Sequence, residues 1–148
     1  MFLKDIRVEE MNNNIDWLVF EKHNFGKIQQ RKDLHFWDNT QKSRYIESLL
    51  TIGSITPFVI GTPRAENYCH LVDGFHRFRA LLEFVRDDEF SLVNLKYLKD
   101  FEGKKFSELP KSIQRRIEMV CIKVYVIMPE TLPEYYLDVC RTLNPNIA

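Results

Sequence analysis

Apolar residues follow a helical period in some stretches of this chain and an alternating one in others. From Gln41 to Leu50, Tyr45, Ile46, Leu49 and Leu50 share one face, which predicts an amphipathic helix. Thr51-Ile52-Gly53 follows, with glycine where a helix ends readily. Pro57-Phe58-Val59-Ile60 predicts a strand with proline at its entrance, and Gly61 to Asn67 a loop. Tyr68 to Val72 predicts a second short strand, after which Phe78, Leu81, Leu82 and Val85 return to helical spacing. Ile122 to Ile127 alternates and is β-branched, the clearest strand pattern of the chain. Pro133 to Leu143 predicts a last helix, stopped by Asn144-Pro145-Asn146.

Other stretches carry weaker patterns. Met1-Phe2-Leu3 is strand-like and leads into a charged stretch, then a short apolar segment at Trp17-Leu18-Val19-Phe20. Leu92 to Leu98 fits either a strand or a short helix, with the strand as the better match. Ser107 ahead of Pro110 reads as a cap leading into a helix through Met119. No repeat, low-complexity segment or linker divides the chain, so residues 1–148 are expected to form one compact α+β domain.

Composition narrows the class. At 148 residues, with 45% hydrophobic and 13% aromatic residues, the chain can bury a substantial core and is not a disordered segment. A formal net charge of zero gives no global attraction to nucleic acid or membrane. Cys69, Cys121 and Cys140 are widely spaced with no CxxC pair, as in reduced and mostly buried thiols of a cytoplasmic protein. Met1 to Glu10 has no signal-peptide pattern, and no apolar run approaches membrane-spanning length. The expectation is a soluble cytoplasmic protein without a membrane partner.

The richest chemistry lies at Leu71-Val72-Asp73-Gly74-Phe75-His76-Arg77, where a strand meets a helix. Unpaired backbone N–H groups and the dipole make a helix start attractive to anions, and an imidazole and a guanidinium beside it suit a phosphate. An ordinary Asp-Gly turn with solvated His76 and Arg77 explains the same residues, and spacing alone does not choose. His23, His35, His70 and His76 form no metal-ligand spacing, and neither a Walker-type phosphate loop nor a nucleophile elbow is present, so no metal site is expected.

The ordered set Gln30-Arg31, Trp37, Glu47-Ser48-Leu49-Leu50, Gly53, Pro57 and Asp73-Gly74-x-x-Arg77 resembles the N-terminal domain of GmrSD-type modification-dependent restriction proteins. Phe106 to Pro110 and Arg141-Thr142-Leu143-Asn144 extend the likeness across most of the chain. Gly74, Arg77 and Ala80 match the phosphate signature of the wider ParB N-terminal and sulfiredoxin-like superfamily. The resemblance implies a small mixed sheet with flanking helices, an NTP cofactor with or without magnesium, and a role in DNA restriction, phage defence or phage biology. It implies phosphate contacts from Gln30, Arg31, Gly74 and Arg77, with Asp73 and His76 as the catalytic pair. DNA and an effector protein are the further partners it suggests. Two departures matter. Phe75 stands where sulfiredoxin has its nucleophilic cysteine, which removes thiol chemistry. Phe75-His76 also replaces the amide pair of Asp-Gly-Gln-Gln-Arg, which bears on hydrolysis more than on binding.

Residue by residue, Arg77 is expected as a bidentate phosphate clamp, or else as a surface partner of Asp73. Asp73 has three compatible roles: proton acceptor, magnesium holder through water, or helix N-cap. His76 suits acid/base work or donation to a phosphate oxygen. Phe75 and Trp37 are expected in the core, and Gly74 at a close approach or a positive φ. Lys96 to Arg116 is basic, but interleaved carboxylates make it read as a solvated face. Two other functions stay open: a non-enzymatic DNA-associated or protein-interaction module, and a metal-dependent nuclease working through Asp73 and His76.

Overall fold

The strands join in one mixed sheet of order β1-β4-β2-β3: β1 is Val8–Asn14, β2 Phe58–Gly61, β3 His70–Asp73 and β4 Cys121–Ile127. The structure is a computed structural model and describes residues 7–22, 25, 36–62 and 69–143. β4 lies antiparallel to β1 and parallel to β2, and β2 is antiparallel to β3. Among the described residues the α-helices are α1 (Asn39–Thr51), α2 (Phe75–Leu81), α3 (Lys111–Glu118) and α4 (Pro133–Leu143). The α+β class with a small mixed sheet and flanking helices is therefore what the chain adopts.

Alternation along β4 explains how the sheet is covered. Ile122 and Val124 enter the main core with Phe58 and Ile60 of β2, Ile46, Leu49 and Leu50 of α1, and Phe78 and Leu81 of α2. Ile127 and Val59 belong to a second, smaller cluster, closed by Tyr136, Val139 and Cys140 of α4. Gly61 permits that approach, because a Cβ there would collide with the Tyr136 hydroxyl.

α1 carries its own signals at both ends. Asp38 Oδ1 accepts the Gln41 backbone N–H at 2.9 Å while Gln41 Oε1 accepts that of Asp38 at 3.0 Å, a reciprocal capping box. At the far end the Ser48 carbonyl accepts from both Ile52 and Gly53, with Gly53 at φ +83°.

Four expectations need correction. Leu92 to Leu98 is not a strand. The Leu92 N–H goes to the Lys104 carbonyl, and the six that follow go to side chains: Val93 to Ser43 Oγ, Asn94 and Leu95 to Glu102, and Lys96, Tyr97 and Leu98 to Glu47. With those donors taken, no sheet ladder can form there. Ser107 does not cap α3; its N–H and hydroxyl bind Asp88 at 3.0 and 2.7 Å, and Pro110 occupies the cap position. The charged stretch after residue 6 supplies β1, an edge strand that takes its pairing from β4 and needs no apolar alternation. Glu10 there pairs with Lys123 across the strands at 3.3 Å. Finally, only Cys140 of the three free cysteines is buried; Cys69 is half-buried and Cys121 exposed. Met1-Phe2-Leu3 lies outside the described residues.

Candidate functional site

The β2–β3 register breaks just before the turn. Ile60 pairs with Leu71 but Val59 pairs with Asp73, so one residue is bulged out and Asp73 is re-aimed at the sheet end. Gly74 follows at φ +104° and serves as the N-cap of α2, with no side-chain cap. Asp73 is thus not the cap that the sequence allowed it to be. Glycine is required at position 74 on two grounds. The backbone is left-handed, and an added Cβ would lie 2.5 Å from Phe58 Cδ1 and 3.2 Å from Arg77 Nη2.

Arg77 lies across this turn with its side chain only 13% exposed. Its Nη1 donates to the carbonyls of Thr56 at 2.7 Å and Pro57 at 3.2 Å, the residues that lead into β2. The guanidinium carbon sits 4.7 Å from the centre of the Phe58 ring. Asp73 Oδ2 stands 3.7 Å from Nη2, an ion pair rather than a hydrogen bond. Nη1 is therefore engaged with the scaffold, and a bidentate clamp has only the Nε–Nη2 edge for a ligand. The same contacts fix the guanidinium plane in advance.

A row of rings borders the turn. Trp37 stacks on His76 with centroids 5.5 Å apart and planes at 13°, and Phe75 meets His76 edge-on at 5.4 Å. Phe36, 59% exposed, touches Phe75 and lies 4.2 Å under the Arg79 guanidinium carbon. Phe75 packs against the main core as expected. Trp37 does not act as a core anchor; it is half-buried, resting on His76 and on Tyr45 at 5.9 Å.

Tyr45 is the residue whose chemistry the sequence concealed, because its ring follows the apolar face of α1. Its hydroxyl is buried and has no hydrogen-bond partner among the described residues. Burial raises the phenol well above its ordinary range, and the nearby Arg77 charge opposes the rise. The group is therefore a neutral O–H donor. The available signal was chemical: a tyrosine on a core-facing helix stripe needs a partner for its hydroxyl. A second donor without an acceptor is Arg79 Nη1, also buried, while Arg79 Nε holds Glu83 at 2.9 Å and Lys42 Nζ holds the other oxygen of Glu83.

Asp73, Gly74, His76 and Arg77 thus come together in one turn, as their spacing required. Gln30 and Arg31, the other two expected phosphate contacts, lie outside the described residues, as do His23, His35 and Asn144. Arg141 is on the exposed side of α4, remote in sequence from the turn. No group of His, Cys, Asp and Glu able to hold a metal ion occurs among the described residues. No helix among them is long and apolar enough to cross a membrane. Comparison with known proteins finds no family model, no curated protein and no solved structure that matches this chain.

Proposed function

We propose that the β3–α2 turn receives the phosphate groups of a nucleotide. The observation that carries this reading is Arg77: a mostly buried guanidinium, pre-oriented by two backbone carbonyls, whose carboxylate neighbour stands 3.7 Å away. The start of α2, where Gly74 brings no side-chain cap, and the likeness of Gly74-x-x-Arg77-x-x-Ala80 to the ParB-type signature support it further. His76, whose ring lies between Trp37 and Phe75, is the imidazole of this turn and would donate to a phosphate oxygen. Asp73 is the carboxylate of this turn; if magnesium accompanies the nucleotide, Asp73 with water and the phosphates themselves would hold it. Binding is the function proposed, and hydrolysis by Asp73 and His76 is an activity to be assayed beside it.

The test is a thermal-shift series with ATP, GTP and inorganic tripolyphosphate, with and without magnesium. A ligand at a hundredfold excess over its Kd stabilises the folded state by about 2.7 kcal/mol, or roughly 5–10 °C for a chain of this size. Arg77→Lys keeps the charge but loses the fork, so most of the shift should vanish. A wild type that no phosphate compound stabilises contradicts the proposal.

One observation favours a second reading, a module that binds nucleic acid. Residues 96–116 hold seven Lys and Arg against three Asp and Glu, a surplus of +4 in a chain whose total is zero. Glu102 and Glu108 direct oxygens to the backbone N–H groups of Asn94, Leu95 and Lys105. None of the seven cations has an ion-pair partner among the described residues. A duplex-binding assay at several salt concentrations decides it. Affinity should fall linearly on a log–log plot against salt, and a flat or absent response removes this reading.

A further inference from the structure

We propose that the Tyr45 hydroxyl donates directly to a phosphate bound at the β3–α2 turn. This inference rests on the phosphate reading of the turn and adds to it a residue on a different helix. Three observations lead there. The hydroxyl is buried and has no acceptor among the described residues. Its ring lies against Trp37, which is itself stacked on His76. Arg77 is close enough for its charge to act on the phenol.

A phenylalanine at position 45 would bury the same ring in the same place. The hydroxyl adds nothing to that packing and carries the cost of losing water without gaining a partner. A group that is unfavourable in the empty protein has a physical role if a ligand supplies the missing acceptor. That ligand must present acceptor atoms, because the phenol is held protonated and can donate. An anion suits it best, because the neighbouring charge is a guanidinium whose Nη1 serves neutral carbonyls and whose carboxylate neighbour stands 3.7 Å off. A phosphate oxygen meets both conditions. α1 would then supply one donor and α2 the other, so the ligand would tie the two helices together.

The test is Tyr45→Phe, read in two independent ways. Without ligand, the variant should melt about 2–4 °C higher than wild type, since a buried donor without a partner has been removed. With ATP or with inorganic tripolyphosphate, its affinity by titration calorimetry should fall roughly ten- to a hundredfold, the loss of one hydrogen bond to a charged group. Equal losses for the two ligands place the hydroxyl on a phosphate; a loss confined to ATP places it on the nucleoside and overturns the assignment. A lower melting temperature without ligand means that the hydroxyl has an internal partner, and also overturns it. If wild type binds and Tyr45→Phe binds equally well, this inference fails while the phosphate reading stands. If wild type binds neither compound, both fail.

Discussion

Gly74→Ala is expected to lower folding stability by about 4 kcal/mol, combining left-handed backbone strain with forced overpacking. The position is left-handed at φ +104°, and the new Cβ would press on Phe58, one of the fully buried rings of the core. It would also crowd Arg77 Nη2, so ligand binding should weaken with stability. Gly53→Ala is the matched control. Gly53 has φ +83° with nothing within 4 Å of an added Cβ, which leaves the backbone term alone, about 1–2 kcal/mol. Urea unfolding with an unchanged m-value gives both numbers. Equal losses in the two variants would show that the close approach of Gly74 to Phe58 is unimportant.

Glu47→Ala should be comparably costly, about 4 kcal/mol, because hydrogen bonds to a charged acceptor contribute roughly 1.5–3 kcal/mol each and their donors would be stranded. The Glu47 carboxylate accepts the N–H groups of Lys96, Tyr97 and Leu98 at 2.8–3.0 Å and so fastens an irregular segment to α1. Burial works to raise its carboxyl, but donation from Leu98, Lys96 and Tyr97 together with the Arg44 charge outweighs burial and holds it below the ordinary 4.5. A carboxyl lowered in the folded state contributes fully above its unfolded value, and that contribution is lost as pH falls through the folded value. Wild-type stability should therefore decline as pH drops below about 4.5. Asp88, lowered by its hydrogen bonds from Ser107, acts in the same sense. Glu47→Gln should flatten this acid limb, whereas a limb unchanged in the variant would place the pH dependence elsewhere.

These two positions also show what local sequence can and cannot tell. α1, β2, β3, β4 and α4 were legible because each has its own period or punctuation: the stripe ending at Gly53, Pro57 before a strand, the β-branched run of Ile122 to Ile127. β1 was hidden because an edge strand borrows its order from its neighbour, and its charged residues give no alternation. The stretch from Leu92 to Leu98 misled for the opposite reason. It has strand composition, but Glu47 lies some fifty positions earlier in the chain, and no local pattern announces that its carboxylate will take three of the donors.

The candidate site divides in the same way. Asp73, Gly74, His76 and Arg77 are consecutive enough to be found as a motif. What surrounds them is tertiary: Arg77 holding the Thr56 and Pro57 carbonyls, Trp37 lying on His76, and the Tyr45 hydroxyl left without an acceptor. The first of these narrows the clamp to one edge of the guanidinium. The last leaves a buried donor on an apparently apolar helix face, which is the basis for proposing Tyr45 as a ligand contact.

Phosphate binding at the turn is tested most directly by backbone amide NMR of the uniformly labelled protein, titrated with ATP and with tripolyphosphate. Saturable shifts should concentrate at residues 74–79, with weaker ones around Tyr45 on α1, and the Arg77→Lys variant should lose them. Saturable shifts confined to residues 96–116, or none at millimolar ligand, would contradict a phosphate site at the start of α2.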